Sequence, residues 1–205
     1  IRQSLRPDTI LVTVMHANNE VGTIQPIADI ARLVGTRGIV MHTDAAQSPG
    51  KIPVDVAFLD VDLLSIAGHK LYAPKGIGAL YVRKGLAPET FCHGAGQEMG
   101  RRAGTENVAG IVGLGKACEM ATANLAKDSL RMRALRDRLH EGIAGRTDGV
   151  RLNGHPEHCL PNTLNLSFQG LDADRLLEEI GKEVAASAGA ACHAGSVAVS
   201  HVLEA

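Results

Sequence analysis

Short apolar runs alternate with amphipathic stretches along the first part of the chain. Residues 9–15 (TILVTVM) form an apolar run that reads as a buried strand. The polar, glycine-containing stretch NNEVGTIQP (18–26) follows as a loop. Ile27, Ile30, Ala31 and Val34 then recur at helical spacing. The run GIVMH (38–42) leads into TDAAQ, and VDLLSIA (61–67) ends at GHK. IGALYVRK (77–84) resumes β character. Apolar runs of strand length with helices between them predict a mainly parallel sheet covered on both faces.

The texture changes near residue 105. Residues 105–145 are rich in Ala, Leu and Arg, with Leu125, Leu130, Leu135, Leu139 and Ile143 at helical spacing. They predict two long helices with a break near Asp128. A strand (NTLNLSF), a helix (DADRLLEEIGK), a further strand (EVAAS) and a small-residue loop follow, and VAVSHVLEA (197–205) reads as the opening of another helix. This second part has the pattern of a small α+β domain. The predicted division is 1–125 and 126–205, with no internal repeat.

Composition narrows the classes of function. The 205 residues are 45% hydrophobic and 21% charged, which is globular rather than disordered. A net charge of −1 provides no overall attraction to nucleic acid or anionic membrane. With no Trp, two Tyr and three Phe, stacking platforms for bases are nearly absent. No window approaches the ~18 uninterrupted apolar residues of a membrane span. Cys92, Cys118, Cys159 and Cys192 are scattered without a CxxC pair, so neither a zinc knuckle nor a disulfide framework is expected, and a reducing, cytoplasmic setting fits. The chain begins at Ile1 without Met, opens almost at once on a strand and ends inside a helical pattern, so a piece of a longer chain is expected.

Several positions suggest chemistry, each beside a plainer reading. Lys70 follows an apolar strand, and ligands of open α/β sheets gather where strands end. A desolvated lysine there is nucleophilic and suits Schiff-base chemistry; the plain alternative is a solvated loop lysine. Asp44 follows another strand, where a carboxylate can hold a pyridinium nitrogen protonated or simply cap a turn starting at Ala45. Gln47 lies one turn further on, and Asn19 stands in a loop where asparagine either builds turns or donates to a ligand oxygen. HGAGQEMGRRAGT (93–105) places Arg101, Arg102 and Thr105 before a helix, which is an anion site or a surface loop capped by Thr105. GIVGLGKA (110–117) imitates a phosphate loop, but Ala117 replaces the required hydroxyl and the stretch reads as helix interior. Cys192, beside His193 among small residues, is a mobile nucleophile or a packed small residue. His155-Pro156-Glu157-His158 lacks the helical spacing of a metal site and reads as a solvated loop; no metal is expected.

In this order NNEVGTIQP, HTDAAQSPGK, GHKLYAPKGIGALYVRKG, GQEMGRRAGTEN and GAACHAGS closely resemble the cysteine desulfurases, the NifS/IscS-like branch of the class V aminotransferases. The related selenocysteine lyases share the pattern. The resemblance covers nearly the whole chain. It implies a pyridoxal-phosphate-dependent transferase of fold type I, with 1–125 as the second half of the cofactor-binding large domain and 126–205 as part of the small one. It implies that Lys70 forms the Schiff base, Asp44 partners the pyridinium, and Asn19 and Gln47 bond the phenolic oxygen. His69 matches a phosphate contact, with Ala67 and Gly68 beside it. Thr105 matches a hydroxyl reaching the phosphate in a neighbouring subunit, which implies a homodimer. Cys192 matches the cysteine that attacks the substrate sulfur. The implied substrate is L-cysteine, giving an enzyme persulfide and L-alanine, with the sulfur passing to an acceptor protein for iron–sulfur cluster or thio-cofactor synthesis.

The chain departs from the pattern at Ala67, where the family often has a serine whose hydroxyl binds the phosphate; losing such a bond costs about 1 kcal/mol. That residue and GAACH lean toward the selenocysteine lyases with L-selenocysteine as substrate, whereas the short interval from Cys192 to Ser200-His201-Val202 leans toward the desulfurases. The family's ring-stacking histidine and main phosphate-binding turn are expected upstream of residue 1, and its substrate-carboxylate arginine downstream of Ala205. An inactive truncated remnant or scaffold is therefore the second alternative.

Overall fold

The computed structural model describes residues 1–187 and 200–205. Its contacts divide the chain into two units, Ile1–His16 with Gln25–Leu125, and Ala17–Ile24 with Ala126–Ala205.

The first unit is built on a four-stranded sheet of β1 (Leu11–Met15), β2 (Val40–Asp44), β3 (Leu63–Ala67) and β4 (Gly78–Val82), in that spatial order. β1, β2 and β3 are parallel and β4 runs antiparallel to β3. The register pairs Met15 with Asp44 and Asp44 with Ser65, so the carboxyl ends of the three parallel strands share one edge. Helix α1 (Ile27–Gly35) covers one face. Its Ile27, Ile30, Ala31 and Val34 fall on one side of a 3.6-residue period and are all buried, in one cluster with Met41, Val61 and Leu64. Burying each of the larger side chains contributes about 1.5–3 kcal/mol. Helix α2 (Val56–Leu59) starts at Asp55, whose carboxylate accepts from the amides of Ala57 and Phe58. It adds Leu59 to the same core.

Helix α3 (Val108–Ala144) runs unbroken through Asp128. This corrects the expected pair of helices. No proline interrupts 108–144, and an exposed aspartate costs a helix only about 0.7 kcal/mol or less, too little to break it. In the first unit α3 lays Leu114 against Leu71 and Ala73, with Cys118 and Ala121 alongside. Side chains alternate across a strand, so β1 sends Val12 and Val14 into the α1 core while Leu11 and Met15 remain 46% and 41% exposed.

The second unit holds a two-stranded antiparallel sheet, β5 (Val150–Leu152) with β6 (Leu166–Phe168), together with helices α4 (Ala173–Ile180) and α5 (His201–Glu204). Asp172 caps α4 by accepting from the amide of Arg175, and Ser200 caps α5 at Val202. The loop 17–24 joins this unit through paired residues Thr23 and Cys159. Residues 183–187 form no strand, contrary to expectation, and only three residues of NTLNLSF are extended in a ladder.

Candidate functional site

Two chain segments leave the shared carboxyl edge of the first unit's sheet. Asp44 ends β2, exposed, and its Oδ1 accepts the amide of Ala46 at 2.8 Å. The carboxylate thus braces its own turn, which is the plainer of the two roles expected for it. Below it Ala45 is fully buried and donates its amide to the carbonyl of Ser65 at 2.9 Å, tying the turn to β3. Gln47 is half-buried, and Ser48 is fully buried with an Oγ that has no hydrogen-bond partner among the described residues.

The second segment leaves β3 through Ala67 into a 3-10 turn, Gly68–Leu71. Only glycine fits at position 68. A Cβ there would stand 2.7 Å from the carbonyl oxygen of Ile77, to which the Gly68 amide already donates at 2.9 Å. His69 and Lys70 are both exposed at this turn. Tyr72 closes it in the left-handed region (φ 64°), a conformation few non-glycine residues adopt, with its side chain 99% exposed. Of the two readings of Lys70, the structure shows the solvated one: the turn that leaves the sheet exposes this residue.

Burial falls instead on Lys51, which sequence reasoning missed. Its Nζ donates to the carbonyl of Lys70 at 2.8 Å. Burial, and secondarily the charge of Lys70, hold the Lys51 amine below the usual lysine range. The only sequence signal was a lysine in the Pro-Gly turn after Gln47. Two histidines were also missed. His42 bridges three strands, with Nδ1 2.6 Å from Thr13 Oγ1 and Nε2 2.9 Å from Ser65 Oγ. Burial lowers its pKa, opposed by the charge of Asp44 two residues on along the same strand. His16, just past β1, is 4% exposed and its pKa is lowered by burial.

The remaining expected positions lie elsewhere. Asn19 is exposed on the loop of the second unit, and Asn18 builds that loop by accepting from the amides of Glu20 (2.8 Å) and Val21 (2.9 Å). Thr105, Arg101 and Arg102 are exposed on the segment before α3. Thr105 is not the cap of that helix, which starts at Val108; the Asn107 side chain accepts from the amide of Gly110 at 3.0 Å instead. Cys192 and His193, with the GAACHAGS motif, lie outside the described residues. His155 spends Nδ1 on the amides of Glu157 (3.1 Å) and His158 (2.9 Å), so HPEH forms a turn. Among the described residues no helix is long and apolar enough to cross a membrane.

The donor set suits a phosphorylated pyridine aldehyde. An exposed primary amine (Lys70) and an exposed carboxylate (Asp44) leave the same sheet edge from neighbouring strands, and the buried, unpartnered Ser48 hydroxyl lies four residues from that carboxylate. An amine condenses with an aldehyde, and a carboxylate stabilises a protonated ring nitrogen.

The family model "Aminotransferase class-V" matches residues 1–204. The chain is 48% identical over 206 aligned residues to a cysteine desulfurase IscS of Methanosarcina thermophila, covering 100% of this chain and 51% of that protein. It is 47% identical over 205 residues to a cysteine desulfurase of Gluconacetobacter diazotrophicus, again covering 100% and 51%. The fold matches a solved NifS-like protein with a TM-score of 0.83 at 40% identity, over 88% of this chain and 50% of that one. It also matches a structure described as SspA in complex with cysteine, with a TM-score of 0.78 at 38% identity, over 99% and 56%. The chain spans about half the length of the curated relatives it matches.

Proposed function

The chain belongs to the aminotransferase class-V family, and we propose that it carries the reactive lysine and the sulfur-accepting cysteine of a pyridoxal-phosphate-dependent cysteine desulfurase. The observation that supports this most is the pairing of Asp44 at the end of β2 with Lys70 just past the end of neighbouring β3, each within a family motif. Bound pyridoxal phosphate supplies an aldehyde for amines and a ring that withdraws electrons from the substrate's α-carbon.

The chain's own residues then have separate tasks. Lys70 would hold the cofactor through its amine and would carry the proton to and from the substrate's α-carbon. Its exposure on a protruding turn supports both access and exchange. Asp44 keeps the ring nitrogen protonated. Asn19 and Gln47 bond the phenolic oxygen; His69, with Ala67 and Gly68 beside it, faces the phosphate. Thr105 reaches the phosphate site of a second copy in a homodimer. The Cys192 thiolate attacks the substrate Sγ. L-Cysteine and the enzyme thiol become L-alanine and an enzyme persulfide, with the sulfur bond moving from carbon to Cys192. The persulfide passes its outer sulfur to an acceptor thiol protein.

The names of the relatives favour L-cysteine over L-selenocysteine as substrate. The deciding experiment incubates the protein with pyridoxal phosphate, reduces with borohydride and maps the labelled peptide. Label on Lys70 is expected. L-Cysteine with a thiol reductant should then yield alanine and sulfide in equal amounts, and Cys192→Ala should keep the label and lose both products. Label elsewhere, or turnover surviving Cys192→Ala, would overturn the reading. Turnover of L-selenocysteine alone would replace it with the lyase.

A further inference from the structure

We propose that Lys51 is a positioning residue for Lys70: its ammonium closes the open carbonyl end of the turn that presents the reactive amine. This rests on the function proposed for Lys70, and it concerns a residue to which no role has been given.

The 3-10 turn Gly68–Leu71 is four residues long. Turns this short have few internal hydrogen bonds, and their last carbonyls need partners from outside. The Gly68 carbonyl takes the amide of Ala73 at 3.1 Å. Tyr72 then leaves the helical region, so the chain offers no amide in register for the Lys70 carbonyl. Lys51 Nζ meets that carbonyl at 2.8 Å. A cation at the carbonyl end of a helical turn is also favoured by the turn's dipole.

The amine is held from its own side. The Lys51 amide donates to the carbonyl of Ser48 at 3.0 Å, and the Ser48 amide donates to the carbonyl of Ala45 at 2.9 Å. Lys51 is therefore carried by the turn that begins at Asp44, and it reaches across to the turn that carries Lys70. Its half-buried side chain joins the two segments of the site within one unit. Methionine at this position would avoid placing a second charge beside Lys70. Keeping an ammonium against that repulsion suits a donor whose task is the carbonyl. The division of labour between the amines follows: Lys51 is engaged and half-buried, Lys70 exposed.

The test compares the unmodified chain with Lys51→Met, Lys51→Arg and Lys70→Met, without cofactor. Amide hydrogen exchange is read across residues 68–73, and the Lys51 side-chain amine is titrated by NMR. Losing a charge-assisted bond should speed exchange in Lys51→Met by about tenfold or more, confined to that turn, and Lys51→Arg should restore slow exchange. Lys51 should titrate below free lysine, and Lys70→Met should raise it by removing a neighbouring positive charge. A merely structural role would lower the urea midpoint without speeding exchange selectively at 68–73. Exchange at 68–73 unchanged in Lys51→Met, or a Lys51 titration that ignores Lys70→Met, would overturn the proposal. If Lys51→Met does not fold, exchange at 68–73 is read in Lys51→Gln instead, with the same outcomes for and against. Should these effects appear while pyridoxal phosphate fails to label Lys70, the proposed function falls and the pairing of the two lysines stands.

Discussion

Gly68→Ala tests whether the turn before Lys70 is set by close backbone contact. Gly68 is not in the left-handed region, so the penalty is steric rather than conformational. The added methyl would lie 2.7 Å from the Ile77 carbonyl oxygen, 2.9 Å from Ile77 Cγ2 and 3.2 Å from the Ala73 Cβ. The first of these is rigid backbone and already accepts the Gly68 amide at 2.9 Å. Relieving the overlap means moving the turn off β4, which strains packing by about 1–3 kcal/mol and weakens a hydrogen bond worth about 1 kcal/mol. The expected loss is therefore about 2–4 kcal/mol in urea unfolding. Gly115→Ala provides the control of opposite sign. That glycine is inside α3 with nothing within 4 Å of an added Cβ. Alanine there should stabilise by about 0.5–1 kcal/mol. If Gly68→Ala unfolds within about 0.5 kcal/mol of the unmodified chain, the contact argument is refuted.

Three further outcomes follow from the same structure. Asp55→Ala removes the acceptor for two amides at the start of α2 and should cost about 1 kcal/mol in urea unfolding, with Asp55→Asn or Asp55→Ser recovering most of it. His16 and His42 both have pKa values lowered below 6.5 by burial, so below about pH 6.5 the unfolded chain binds protons that the folded chain does not. Stability should be full above that value and fall with pH until the folded pKa values are reached. A urea midpoint that stays constant from about pH 8 to 5, or falls just as steeply in His16→Gln, would count against this. In the second unit the Arg136 guanidinium, 13% exposed, donates to the buried Leu160 carbonyl at 2.9 Å and to Cys159 Sγ at 3.0 Å. Arg136→Met leaves that carbonyl without its main donor and should cost about 1–3 kcal/mol, read as a lowered thermal midpoint.

Local pattern was a good guide wherever an element buries one face. Ile27, Ile30, Ala31 and Val34 announced α1, and all four are buried. The three parallel strands fall where apolar runs of strand length predicted them. Pattern failed where burial did not decide. The leucines that suggested two packed helices are largely exposed, Leu130 at 70%, so their spacing said nothing about a break. Thr105 looked like a cap because hydroxyls cap helices, but Asn107 sits where the chain enters α3 and takes that role. EVAAS had the composition of a strand, but composition does not set the backbone, and residues 183–187 are not extended into a ladder.

The sequence by itself determined the α/β pattern, the order of the motifs and the family, because side-chain period and residue identity are properties of the chain. The tertiary structure alone decided which lysine is desolvated. Lys70 and Lys51 are 19 residues apart and chemically identical, and nothing local distinguishes a solvated amine from a half-buried one. Burial depends on which segments fold over a position, here the turn after β2 meeting the turn after β3. That meeting places one ammonium against a carbonyl and leaves the other in solvent.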